Sequence, residues 1–299
     1  MRQAVSVCRK GIVMLRLVCA LLAFFCVLAA GSPDQGRAHE LYEHTNYSGA
    51  LQVLLVLPNK NADAYALMGK SYFHLGDFKK SSDAFEQAIA GDPNNSEYVH
   101  WLGRSYGRRA EAGNPLTAPT YAARARQCFE RALELNPRNG EALNDLFDYY
   151  LQAPGFLGGG FQKAARLVPR IAALDPAEGH YAEAQLAYKR KEFDAAEAQL
   201  RRAMELAPAQ VGRVLDLAVY LAKRGRVQES EATFDRAERM APGNPKVLFE
   251  RANTYISEGR NLEAARALLR RYLQAANITP EDPPKAKALE LLKQTGSGA

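Results

Sequence analysis

Prolines recur along this chain at intervals that cut it into helix-sized pieces, and a fixed pattern precedes each of them. They stand at Pro93, Pro137, Pro176, Pro208 and Pro242. Five residues before each lies Ala88, Ala132, Ile171, Ala203 or Ala237. Eight before lies Phe85, Phe129, Val168, Leu200 or Phe234, and twelve before lies Ser81, Ala125, Ala164, Ala196 or Ser230. Such offsets place small, large and again small residues on one face of a helix, and proline ends the helix. The small residues let a neighbouring helix come close, and the large one fills the groove between them. One helix pair of this kind buries too little apolar surface to stand alone, so the repetition implies a stack of pairs.

A second signature precedes each of these helices. It reads Tyr65, Met68, Gly69 and Tyr72, then Val99, Leu102, Gly103 and Tyr106. Leu143, Leu146, Phe147 and Tyr150 repeat it with Phe at the small position, and Val214, Leu217, Ala218 and Leu221 repeat it with Gly225 in the following turn. Leu248, Ala252 and Tyr255 repeat it in part, with Gly259 next. Together the two signatures resemble the tetratricopeptide repeat, a helix–turn–helix unit of about 34 residues. The resemblance covers roughly residues 62–275, and 62–95 and 211–244 fit the unit without a gap. It implies an all-α fold, a right-handed solenoid of about six or seven stacked antiparallel helix pairs. The expected units are a degenerate first one at 35–61, then 62–95, 96–139, 140–178, 179–210, 211–244 and 245–278, with a capping helix at 284–294. Successive prolines are 44, 39, 32 and 34 residues apart. The excess in the first two intervals predicts inserted loops at 107–120 and 152–161, both emerging on the same edge. The first helix of the 179–210 unit is mostly alanine, which marks a place for a bend.

Composition sets the class and the compartment. Hydrophobic residues make up 47% of the 299 and charged residues 24%, as in globular proteins. The formal charge of +6 is misleading, because Arg2, Arg9, Lys10 and Arg16 lie in the first thirty residues, where no acidic residue stands, leaving about +2 elsewhere. A nucleic-acid partner, which needs a dense basic footprint, is not indicated. Those first thirty residues read as a secretory signal peptide. A basic start is followed by an apolar run from Leu17 to Ala30 and by small residues at Ala29, Ala30 and Gly31. The run is short for a membrane span, which needs about 20 apolar residues. The expectation is therefore a cleaved leader, no membrane span in the mature chain and a periplasmic or secreted location; an uncleaved N-terminal anchor is the alternative. Cys128 is the one cysteine beyond the leader, and its apolar helical surroundings read as a small buried hydrophobe.

The resemblance also implies where a ligand binds. Contacts in this family come from the second, fifth, ninth and thirteenth positions of each unit, on the concave face lined by the first helices. Carried onto this sequence, those positions give Lys70 and His74, then His100, Arg104 and Arg108, then Asn144 and Asp148. A row of cations with an amide beside it suits an acidic peptide or a C-terminal carboxylate. A charged helix face is also what solvation alone produces, and the sequence leaves that alternative open.

Signs of catalysis are weak. No GxSxG element occurs, and 158–160 is a run of three glycines without the flanking residues of a phosphate loop. His39 and His44 are five apart, so they do not share the helix face that a zinc site requires. No cofactor is implied. The reading is a non-catalytic scaffold or adaptor of the cell envelope that holds a protein or peptide in its groove. Two alternatives stand beside it: a structural subunit of an envelope or secretion complex, and a small-ligand binder or enzyme with a pocket at the inserted loops.

Overall fold

Helix starts in this chain are fixed by asparagine and aspartate caps. The side chains of Asn61, Asn95, Asn139, Asp175 and Asn244 each accept a hydrogen bond from a backbone amide in the first turn that follows. Such a cap satisfies amides that the helix itself cannot, and is worth about 1 kcal/mol. The computed structural model describes residues 33–296, so the expected leader at 1–30 lies outside the described residues. Within them are fifteen α-helices and no strand.

They pair in order: α1 (Pro33–Glu43) with α2 (Tyr47–Leu55), α3 (Ala62–His74) with α4 (Phe78–Gly91), and α5 (Ser96–Ala112) with α6 (Ala118–Leu135). Then α7 (Gly140–Gln152) pairs with α8 (Phe161–Leu174), α9 (Pro176–Lys189) with α10 (Phe193–Leu206), α11 (Val211–Lys223) with α12 (Val227–Met240), and α13 (Pro245–Ser257) with α14 (Leu262–Gln274). A last helix, α15 (Lys285–Gln294), packs on α13 and α14. Each helix packs on the next, so the pairs stack into a solenoid.

The recurring columns explain that stacking. Phe85, Phe129, Val168, Leu200 and Phe234 are all buried. Ser81 and Ser230 do more than leave room: the hydroxyl of each donates a 2.8 Å hydrogen bond to the carbonyl twelve residues back, that of Gly69 or Ala218. The serine thus ties the second helix of its pair to the first at the same register in two distant units.

Two sequence expectations change, and a third gains detail. The insertion at 107–120 is mostly helix, because α5 continues to Ala112 and α6 begins at Ala118, so the extra residues lengthen the pair and leave loop only at 113–117. The insertion at 152–161 holds a 3-10 turn at Gly155–Leu157. There a Cβ on Gly159 would lie 1.9 Å from the Ala153 carbonyl oxygen, so only glycine lets the chain fold back that tightly. The unit boundary expected at 178–179 falls at 175–176. Asp175 caps α9, and Pro176 opens it as a first-turn proline, a role its missing N–H permits.

Packing is uneven along the inner row. Neighbouring first helices touch from α1 through α3 and α5 to α7, and again between α11 and α13, but the row thins across α9. Ala182 closes one apolar cluster and Ala184 and Ala187 belong to the next, so α9 is the seam between them.

Candidate functional site

The six residues expected from spacing fall on three adjacent inner helices. Lys70 and His74 lie on α3, His100, Arg104 and Arg108 on α5, and Asn144 on α7. Five of them, Lys70, His74, His100, Arg104 and Asn144, line a single cavity of about 910 Å³. Arg108 stands apart, with Arg104 and Asp148, in a neighbouring cavity of about 490 Å³ against the 155–157 turn.

Those cations are not an open positive row. The Lys70 ammonium donates to Glu97 at 2.5 Å. His100 is 1% exposed, with its Nε2 2.7 Å from Asp145 and its Nδ1 3.8 Å from Glu141. The Arg104 guanidinium lies 3.9 Å from the same Asp145 and stacks on Trp101, 4.2 Å from the ring centre. Arg108 pairs with Glu111 at 2.5 Å and sits over Phe78. Asn144 makes no side-chain hydrogen bond among the described residues, so its amide is the open polar group of the set. Lys70, His100, Arg104 and Arg108 thus each already face a carboxylate of the chain itself.

His74 is an internal piece of the wall. Its ring stacks on Tyr47 with centroids 4.6 Å apart, and its Nε2 lies 3.2 Å from the Tyr42 hydroxyl. Burial first, then the nearby Arg104 and Lys70 charges, holds its pKa down to about 4, so it is neutral near pH 7. Farther along the inner face the buried groups are acids. Burial, reinforced by Asp145, pushes the Asp148 carboxyl up to about 6, and burial pushes Asp216 up to about 6 despite Arg213 at 3.1 Å. Asp216 lines a third cavity of about 540 Å³ with Tyr181, Lys223 and Glu250.

The solenoid also brings its two ends together. Residues 279–284, between α14 and α15, line the same 910 Å³ cavity as Tyr42, Lys70 and Arg104. Burial and then the Asp282 carboxylate push the Tyr47 hydroxyl up to about 12, which places a residue of the last loop beside a residue of α2. That loop is internally fixed: Asp282 accepts from the Thr279 amide at 2.9 Å and from its hydroxyl at 3.1 Å, and the Tyr272 hydroxyl donates to the Pro283 carbonyl.

Several lining residues escaped the spacing argument. Trp101, the single tryptophan of the chain, follows His100 directly and was legible as an aromatic beside a basic position. Phe73, beneath Arg104, was legible in the same way from its place before His74. Nothing in the sequence marked residues 279–284, because only closure of the whole stack carries them to the groove. The apolar residues of the 152–161 insertion divide: Phe161 packs on the core, Leu157 lines the smaller cavity, and Phe156 is 83% exposed. Cys128 is half-buried, and burial pushes its thiol up to about 12, which keeps it protonated and unreactive at neutral pH.

Comparison with known proteins agrees with this architecture. Residues 62–95 and 215–278 each match a family model described as tetratricopeptide repeat. A tetratricopeptide repeat protein from Parabacteroides merdae is 15% identical, with 88% of this chain and 98% of that one covered at a TM-score of 0.57. A thermophilic protein of the same repeat type from Thermus thermophilus is 21% identical, with 64% of this chain and 99% of that one covered at a TM-score of 0.53. At such identities the likeness speaks to the fold alone. No curated protein matches the chain significantly.

Proposed function

The chain is a tetratricopeptide-repeat protein, and from that premise we propose that it is a non-catalytic scaffold of the cell envelope that holds a partner protein or peptide against its concave face. The observation that carries this reading is the continuity of the inner face. The 910 Å³ cavity shares Arg104 and Asp145 with the 490 Å³ cavity and Lys246 and Glu250 with the 540 Å³ cavity, so the three form one path along the inner helices. On this reading Asn144, Lys70 and Arg104 contact the partner, His74 and His100 stiffen the wall behind them, and Arg108 extends the site towards the 155–157 turn. The envelope assignment rests on the leader-like first thirty residues, whose basic start and apolar run suit export.

The test is cross-linked capture from native envelope extract with the protein, its Asn144→Trp variant and an Arg201→Trp variant on the outer side of α10. A partner held on the concave face is retained by the parent and by Arg201→Trp and is lost with Asn144→Trp, whose indole fills the groove. Capture that ignores Asn144→Trp in a folded protein refutes groove binding. It favours docking along the edge where Leu116 and Phe156 stand 87% and 83% exposed, as a structural subunit of an assembly would dock.

A further inference from the structure

The 910 Å³ cavity has two walls. One is the inner face of α1, α3, α5, α7 and α13, and the other is the loop at 279–284. The inner wall carries Glu43, Glu97, Glu141, Asp145 and Glu250, and the loop adds Glu281 and Asp282. Against these seven carboxylates stand three fixed cations, Lys70, Arg104 and Lys246. Even with both lining histidines charged, acids remain in excess. Within the chain, Lys70 and Arg104 already show what the wall holds: Lys70 takes the Glu97 carboxylate and lies 5.4 Å from the Trp101 ring centre, and Arg104 sits between Asp145 and the faces of Trp101 and Phe73. Carboxylates and aromatic faces together are the surroundings that Lys and Arg side chains favour.

The loop is built to stand as a wall. Pro280, Pro283 and Pro284 stiffen it, Ile278 anchors its start in the core, and the Thr279–Asp282 hydrogen bonds close its turn. Glu281 is exposed and makes no ion pair among the described residues. A volume of about 910 Å³ falls in the range of small-ligand sites, roughly 300–1,000 Å³, so what enters is a short stretch of chain and not a folded domain.

We infer that the 279–284 loop is the second wall of the partner site, and that the segment admitted between it and the concave helices is a short basic stretch bearing Lys or Arg side chains. This rests on the concave face being the partner site. It adds Glu281 and Asp282 as contact residues, and it reverses the charge sign that the row of cations implied.

The probes are two fluorescent peptides of equal length, one alternating Lys with Gly and Ser and one carrying Glu in place of Lys, titrated against the protein by anisotropy. The lysine peptide binds, and its affinity falls by about tenfold between low and moderate salt, as contacts between charges are screened. Glu281→Lys weakens it by roughly fivefold or more, since that residue leaves every mapped bond of the loop in place. The double variant Glu281→Gln with Asp282→Asn weakens it as well, and Glu205→Lys on the outer surface leaves it unchanged. Tighter binding of the glutamate peptide, failure of the lysine peptide to bind, or indifference to both loop variants overturns the inference. A captured partner that Asn144→Trp blocks but the loop variants do not affect refutes the loop's role and leaves groove binding standing. Indifference to Asn144→Trp refutes the groove itself.

Discussion

Gly103 has no room for a side chain. A Cβ there would come within 2.7 Å of the Phe129 ring and 3.0 Å of the Cys128 Cβ, so Gly103→Ala must push α5 and α6 apart. The expected cost is about 1–3 kcal/mol, the usual penalty for overpacking. Gly107, one turn on, meets nothing within 4 Å, and Gly107→Ala should stabilise by about 0.8 kcal/mol through helix propensity. Urea unfolding of the two variants checks the opposite signs. His74 gives a pH signature of known direction. Its folded pKa of about 4 lies below the ordinary 6.5, so between those values the unfolded chain takes up a proton that the folded chain refuses. The stability due to neutral His74 is complete above about pH 6.5 and is lost as pH falls towards 4. The ring is half-buried, so its neutral form accounts for a loss of roughly 2 kcal/mol. In His74→Phe this slope disappears, although the variant also gives up the bond with Tyr42. The difference between parent and variant in denaturant midpoints from pH 7 to pH 4 isolates the effect from Asp148 and Asp216, which titrate in the same range.

The turn between the two helices of a pair repeats one geometry. Gly76 and Gly225 sit at φ +80° and +72°, and their amides donate to Phe73 and Ala222 three residues back. Between α9 and α10 the same place is held by Lys191 at φ +64°, with its amide on Tyr188. A side chain in the left-handed region is strained by roughly 1 kcal/mol, so Lys191→Gly should stabilise the protein by about that amount, read as a higher melting temperature. An unchanged or lower temperature would mean that this turn relaxes to another conformation. The same unit has the alanine-lined α9, where the inner row thins. The shortened 32-residue spacing announced an irregularity there, since Pro176 has become the first residue of the next helix and the connecting loop is gone. Its alanines were legible as a weak first helix. That they would divide the core between Ala182 and Ala184 was not, because the division depends on which neighbour each one faces.

Over the whole molecule, the stack comes round until its last loop meets its first pairs. Seven inner helices side by side in a straight row, at about 8–10 Å each, would hold the ends roughly 50–60 Å apart. Glu43 of α1 and Glu281 of the last loop instead line one cavity. Spin labels at Glu43→Cys and Glu281→Cys, in a background with Cys8, Cys19, Cys26 and Cys128 changed to Ser, are therefore expected to report a separation below about 25 Å, far short of the straight-row distance. A distance near the straight-row value would show the ring open in solution. The sequence by itself determined the helical class, the pairing and the repeat. These follow from periodicity, proline and small residues, all of which act within about forty residues of chain, the span of one repeat unit. It also named six residues of the inner face, five of which share one cavity. Only the tertiary structure decided what charge that face presents. Lys70 is paired with Glu97, Arg104 faces Asp145, and Glu281 and Asp282 of the closing loop add to the excess of acids around the cavity. Electrostatic balance is set by distance in space, and small rotations accumulated over many repeats bring together residues that no local pattern connects.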